Sequence, residues 1–370
     1  MLNVIMFGTG TTANVVLTGL KENIHIICYC DNDRTKWGKI FKGKNVIPPN
    51  EIMKFNYDYI VIASQFNNEI YKQLLELGID RTKIFQFFRY IDSIKNNVRI
   101  DIDRIVNSIG DIEGIITGIS YVQKGIKATC MTKKFVKMAR QSQDLFLDYN
   151  LVKYALTNYK EKLCNLKYVI IGLNYYSFEY DMSCSAMKDK VLSYYNVIGE
   201  KHHLYNIKEY LDDVNVNRKI ALEILNLKQS GYPVVDWKVN KLYDLSEKTY
   251  DINDKNGKEQ AELDGNKNYP ETVKENIEIL KKYLTLLNNN NIKAIIVVCP
   301  TSKYYFKYYP QRLKDEFNTI IEMIKKEYKF QYMNYFESDL FDDKDFYDVS
   351  HLNSDGANKF TKILNLNIQW

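Results

Sequence analysis

Runs of about four to eight apolar, β-branched residues bounded by turn signals recur along this chain, and they confine it to an α/β architecture. One series occupies the N-terminal part: Asn3–Phe7, Ile24–Cys30, Asp58–Ala63 and Ile84–Phe88, with helical spacing over Thr11–Leu20 and Asn68–Leu77. A second series comprises Gly114–Gly118, Gly125–Cys130, Lys167–Gly172 and Lys293–Cys299. It closes with a helix over Asn353–Leu364 that Ser354 is placed to cap. Parallel strands need crossover connections, so each series predicts a doubly wound parallel sheet with helical crossovers. A length of 370 residues suits two such domains. The expected division is a small N-terminal domain over 1–92, a linker over 93–109, and a larger domain over 110–370 with a long insertion at about 175–290. Within that insertion, Glu247–Tyr269 is the most loop-like stretch of the chain.

Charge narrows the function classes. Lys and Arg number 51 against 46 Asp and Glu, spread along the whole length, and no basic stripe with interleaved aromatics marks a nucleic-acid surface. No stretch reaches the roughly 18–20 apolar residues that span a bilayer, so no membrane insertion is expected. The N-terminal MLNVIMFGTG lacks a basic leader and a small-residue cleavage site. Of six cysteines, Cys28, Cys30, Cys130 and Cys299 sit in or beside apolar runs that read as buried strands, and none forms a C-x-x-C pair. Free core thiols suit a reducing compartment, and the expected location is cytoplasmic.

Two places carry chemistry. In the first, Gly8-x-Gly10-x-x-Ala13 follows a strand and opens a helix, and Asp31 lies 18 residues beyond Ala13 at the end of the next strand. Small residues for a tight turn, a helix N-terminus for phosphate and an acid for ribose hydroxyls make a nucleotide-type pocket. With only about four strands and no second mononucleotide half, a full dinucleotide has little to lie on. GTGTTA, the Asp31-Asn32-Asp33…Gly38 turn and Pro48-Pro49 together resemble the small Rossmann-like domains that precede bacterial sugar-modifying enzymes. The resemblance covers residues 1–90 and implies a nucleotide or nucleotide-sugar ligand held by Gly8, Gly10, Ala13 and Asp31.

In the second place, Ser120 follows the buried run Gly114–Gly118, where a parallel sheet presents its carboxyl edge. Gly172-Leu173-Asn174 ends another buried run, and an Asn amide there suits a developing oxyanion together with the Ser120 N–H. Asp348-Val-Ser-His351 sits in a polar loop before the last helix. An Asp three residues before a His can hold Nδ1–H and leave Nε2 free to take a serine proton. Gly-x-Ser, Gly-x-Asn and Asp-x-x-His in this order resemble the SGNH (GDSL-type) hydrolase superfamily over residues 110–370. The resemblance implies a flavodoxin-like fold, Ser120 as nucleophile, Asp348 and His351 as its activating pair, and Ser120, Asn174 and Gly172 around the oxyanion. Departures are Ile119 where the family has Asp, Tyr175 where an Asp follows the Asn, and no separate oxyanion glycine. Gln143-Asp144 lies about where that loop belongs. These departures resemble the branch that acts on bacterial surface polysaccharides.

The reading that follows is a serine-dependent O-acyl, foremost O-acetyl, esterase or acyltransferase acting on a sugar or cell-surface glycan precursor. It requires no metal and no cofactor for its chemistry, and the tyrosines of 175–270 would line the substrate wall. The alternative is a non-catalytic nucleotide-sugar-binding scaffold of surface polysaccharide synthesis. A nicotinamide-dependent oxidoreductase is a third reading, for which the C-terminal part offers no hydride-transfer pattern. Homo-oligomerisation is left open by the sequence.

Overall fold

The computed structural model describes residues 1–95, 98–185, 187–199, 202–203, 207–229, 231–236 and 251–370. The chain divides into two compact units, one of residues 1–97 and 205–248, the other of residues 98–204 and 249–370. Each is an α/β unit with a parallel-dominated sheet, as the apolar runs predict.

The first unit runs β1 (Leu2–Phe7), α1 (Thr11–Gly19), β2 (Ile24–Cys30), β3 (Ile40–Phe41), β4 (Lys44–Ile47), β5 (Tyr59–Ile62), α2 (Asn67–Glu76), β6 (Ile84–Gln86) and α3 (Phe87–Lys95). Its strand order is β3-β4-β2-β1-β5-β6, parallel except for the short β3–β4 hairpin. Gly8 turns the chain from β1 into α1 at φ +114°, and a Cβ there would lie 2.6 Å from the Ala63 carbonyl oxygen, so only glycine fits.

The second unit begins with α4 (Val98–Ser108), β7 (Gly114–Gly118), α5 (Ser120–Gly125), β8 (Phe135–Lys137), α6 (Leu145–Asn158), β9 (Tyr168–Leu173) and α7 (Tyr195–Ile198). The chain then contributes α8 (Ile207–Ile224) to the first unit. It finishes the second with α9 (Asp254–Gly265), α10 (Pro270–Asn289), β10 (Lys293–Val298), α11 (Lys303–Phe306), α12 (Gln311–Lys325), β11 (Gln331–Asn334) and α13 (Ser354–Asn367). All five strands are parallel, in the order β11-β10-β9-β7-β8. The chain starts at β7, steps out to β8 and returns past β7 to β9, which is the flavodoxin-like winding with its switch point between β7 and β9. Both faces of β7, β9 and β10 are covered, so these strands are apolar without alternation.

Several sequence expectations are corrected. Residues 98–108 are not a linker: they form α4, whose Val98, Ile102 and Val106 are buried in the second unit's core; residues 96–97 of that stretch lie outside the described residues. The insertion is not one body, because α8 buries Ile220, Ala221 and Ile224 in the first unit's core. Its apolar stripe is broken by Asp213 and Asn217, which hides it from a periodicity reading. Gly125–Cys130 is not a strand: residues 128–130 make a 3₁₀ turn with Cys130 exposed, and the edge strand is β8. Asp254–Gly265 of the loop-like stretch is helix α9, with residues 247–250 outside the described residues. Its buried positions are Gly257, Ala261 and Gly265. A Cβ on Gly257 would lie 2.1 Å from the Tyr304 carbonyl oxygen, so this helix packs through missing side chains that no hydrophobic pattern records. At α13 the cap is Asn353, not Ser354, accepting from the N–H groups of Asp355 and Gly356. Among the described residues, no helix is long and apolar enough to cross a membrane.

Candidate active site

Ser120 stands at the first position of α5, immediately past the carboxyl end of β7 and at the switch point. Two glycines make this placement feasible. Gly118 pairs with Gly172 across β7 and β9, has φ +133°, and would place a Cβ 2.6 Å from the Gly172 carbonyl oxygen. A Cβ on Gly172 would fall 1.7 Å from Val122 Cγ2, so its bareness lets α5 lie directly on the sheet.

Ser120 Oγ is 2.8 Å from His351 Nε2, and His351 Nδ1 lies 2.9 and 3.0 Å from the two Asp348 carboxylate oxygens. The loop is shaped by the same carboxylate, which accepts the backbone N–H groups of Ser350 and His351 at 2.9 and 2.8 Å. An Asx-type turn thus aims the imidazole from its own loop. Burial works against the Asp348 charge, but the His351 hydrogen bond and charge and the Ser350 N–H outweigh it and hold the carboxyl below its usual range. Behind the loop, buried Ser302 donates through both its N–H and its hydroxyl to the Val349 carbonyl, at 3.1 and 2.6 Å. Tyr121 stacks on His351 with ring centroids 4.7 Å apart. Its hydroxyl donates to Tyr305 at 3.2 Å, and Tyr305 donates to Asp264 of α9 at 2.8 Å. Ser302, Tyr121 and Tyr305 carry no motif, and only Tyr121's adjacency to Ser120 could have flagged one of them in the sequence.

These groups open onto a cleft of about 680 Å³. Tyr176 and Tyr180 stand on its wall, as expected of the tyrosine-rich segment, and α9 supplies Asn256, Glu259, Gln260 and Asp264. Lys267 closes one side with its ammonium 4.6 Å from the centre of the Tyr176 ring. Burial there draws the Lys267 ammonium below its ordinary pKa, against the opposing pull of Asp264 and Glu179.

The other sequence candidates fall elsewhere. Gly172 and Asn174 are not on the cleft wall. Asn174 is buried one residue beyond β9, with its amide oxygen unpartnered and its N–H donated to Ser177 Oγ at 2.8 Å. Gln143 and Asp144 lie beneath the wall rather than on it. In the first unit, Gly8 and Gly10 form the strand-to-helix turn, Ala13 is buried in the first turn of α1, and no side chain caps that helix. Asp31 is drawn inward instead: it accepts from Thr9 N–H and hydroxyl at 3.1 and 2.5 Å, Asp33 N–H at 2.9 Å and Lys36 Nζ at 2.9 Å. Its carboxylate ties the turn together.

A buried acid without any sequence motif, Asp148 of α6, is tied to the end of β7 just before Ser120. Asp148 accepts the Gly118 N–H at 3.0 Å and the Gln143 amide at 2.5 Å, both on one oxygen. Burial pushes its pKa well above the ordinary carboxyl value, opposed by the Gln143 hydrogen bond and reinforced by the neighbouring Asp144. A raised folded-state pKa gives stability that is present below the unfolded value of about 3.9 and lost as pH rises through the folded value. Asp148→Asn keeps the accepting oxygen and removes the ionisation. Urea unfolding should therefore find the variant close to wild type at pH 4 and progressively more stable than wild type towards pH 8. A difference that is flat with pH would contradict this.

A family model described as C2185-like, N-terminal, matches residues 1–85. No curated protein matches the chain. Among solved structures, a GDSL-like lipase from Bacteroides thetaiotaomicron is similar at 10% identity and a TM-score of 0.34, covering 74% of this chain and 97% of that one. A candidate acylhydrolase from Bacteroides fragilis is similar at 10% identity and a TM-score of 0.31, covering 69% and 85%.

Proposed function

We propose that the second unit is a serine-dependent esterase or acyltransferase that handles O-acyl, foremost O-acetyl, groups on a sugar or glycan precursor. The observation that carries this reading is the continuous relay from Ser120 Oγ through His351 to Asp348, at 2.8 and 2.9 Å. Ser120 Oγ attacks the ester carbonyl while His351 Nε2 takes its proton. Asp348 holds Nδ1–H and stabilises the imidazolium. The oxyanion develops at the N-terminal end of α5, where the Ser120 N–H has no partner inside the helix. His351 returns the proton to the departing alkoxide, and water or a sugar hydroxyl then takes the acyl group from Ser120.

The wall chemistry supports a polyol substrate. Carboxylates, amides and tyrosines of α9 and the loop after β9 offer hydrogen bonds and aromatic faces to a substrate in this cleft. The reading is tested by mapping a fluorophosphonate adduct by mass spectrometry and ranking p-nitrophenyl esters by chain length. The adduct is expected on Ser120, with turnover falling from acetate to octanoate. A chain that neither labels nor turns over acetate would be the non-catalytic scaffold instead.

A further inference from the structure

A second cluster lies outside the Ser–His–Asp relay, where the loop after β9, residues 202–203, α6 and α10 meet. His202 and His203 stack with ring centroids 4.2 Å apart, and His202 lies flat on Phe146 at 4.0 Å. Both Nδ1 atoms point to one carboxylate, Asp181: His202 at 3.3 Å from Oδ1 and His203 at 2.6 Å from Oδ2. Both Nε2 atoms point to another, Glu275 of α10: His202 at 3.1 Å from Oε1 and His203 at 3.5 Å from Oε2. One ligand atom each from His202, His203 and Glu275 falls within 4.8 Å of the others.

A neutral imidazole has one N–H, yet each of these rings faces a carboxylate at both nitrogens. Two arrangements satisfy that. Either both rings are imidazolium cations stacked face to face, or a dication sits between the Nε2 atoms and Glu275 while Asp181 accepts both Nδ1–H groups. Charge balances equally in the two, since one dication replaces two protons. In both, the four side chains form one charge-matched cluster in which the two Nε2 atoms face the same Glu275 carboxylate and the two Nδ1 atoms the same Asp181 carboxylate.

We propose that His202 Nε2, His203 Nε2 and Glu275 form a Zn²⁺ site, with Asp181 as the positioning residue that fixes both imidazole tautomers. Ligands held at about 2.0–2.1 Å on a tetrahedral ion stand about 3.3–3.4 Å apart; His202 Nε2 is 3.1 Å from Glu275 Oε1, His203 Nε2 is 3.5 Å from Oε2, and one ligand atom from each of the three residues falls within 4.8 Å of the others, so a small closure of the cluster completes the site. A carboxylate behind each ligating imidazole is the usual supporting arrangement. Asp181 serves two rings at once and is itself held by the Ser183 N–H and hydroxyl at 2.7 and 2.5 Å. The fourth ligand position is left for water or an oxygen donor. The ion would fasten residues 202–203 to α10 and, through Asp181, steady the loop bearing Tyr176 and Tyr180, to which Asn276 of α10 already donates at the carbonyls of Phe178 and Tyr180, at 2.9 and 3.1 Å.

The test uses the full chain, stripped with chelator and titrated with Co²⁺, whose visible spectrum reports a four- or five-coordinate site, and then with Zn²⁺ in competition. Wild type should take up one ion per chain and unfold at a higher temperature with it. His203→Gln and Glu275→Gln alter side chains that are 36% and 39% exposed and do not breach the core. Both should keep the wild-type circular dichroism and lose the stoichiometric Co²⁺ spectrum. Asp181→Asn should keep the spectrum but weaken affinity by about 10–100-fold. Wild type that takes up no stoichiometric ion, leaving the rings as an imidazolium pair, overturns the site. So does unchanged uptake by His203→Gln and Glu275→Gln.

Discussion

Ser120→Ala is expected to abolish fluorophosphonate labelling and to lower acetate-ester turnover by about 10³–10⁶-fold. The fold should not notice the change. The Ser120 hydroxyl meets His351 Nε2, at the edge of an open cleft, and the helix start beneath it is made by backbone. Thermal unfolding should therefore match wild type. His351→Ala should cost a comparable factor, and the double variant should be no slower than the slower single one, because the groups act as a unit. Asp348→Asn should fall between wild type and these, since the ring loses the carboxylate that sets its tautomer while the turn keeps an acceptor for the Ser350 and His351 N–H groups. Labelling that survives Ser120→Ala would remove this serine from the chemistry.

The largest effect on stability should come from Asp213, far from any motif. This α8 carboxylate is buried and receives Arg81 at 2.7 Å, Arg89 at 2.9 Å and the Tyr71 hydroxyl at 2.8 Å. Asp213→Ala removes the buried carboxylate that Arg81, 35% exposed, and Arg89, 13% exposed, share; solvent at Arg81 moderates the loss, which should be about 3 kcal/mol, the lower end of the cost of breaking a buried ion pair. Urea unfolding of the full chain should show the first unit melting at markedly lower denaturant. Lys72→Ala is the contrast: its 3.8 Å pair with Glu76 is exposed on both sides, and the change should stay within about 0.5 kcal/mol. Equal effects from the two substitutions would mean that α8 is not held to its sheet by this network.

What the sequence made legible follows the same physics. Strands covered on both faces must be apolar throughout, so β7, β9 and β10 announce themselves as uninterrupted runs, and β1, β2 and β5 do so over their buried carboxyl ends. Short or marginal strands do not: β8 has three residues and β11 is only half-buried, and neither interrupts the polar stretches around it. Ser120, Asp348 and His351 were readable because a loop acid three residues before a histidine is itself a local device. The groups that hold them were not. Ser302, Tyr305 and Asp148 reach the site through contacts that exist only once distant segments are folded together. Helix α9 was hidden because it packs through glycine and alanine, and α8 because its buried face carries Asp213 and Asn217 among its aliphatics.

The division of the chain has a consequence for inheritance and for handling. The polypeptide passes from the first unit to the second, back to the first, and again to the second. No single cut releases either one. A fragment ending at residue 97 would leave bare the patch that Ile220, Ala221 and Ile224 cover, and would strand Arg81 and Arg89 without Asp213. Recombination that swapped only the leading segment for a relative's would split a core between two ancestries. With the chain crossing between them three times, the two units can be cleanly exchanged, truncated or grafted only as a pair.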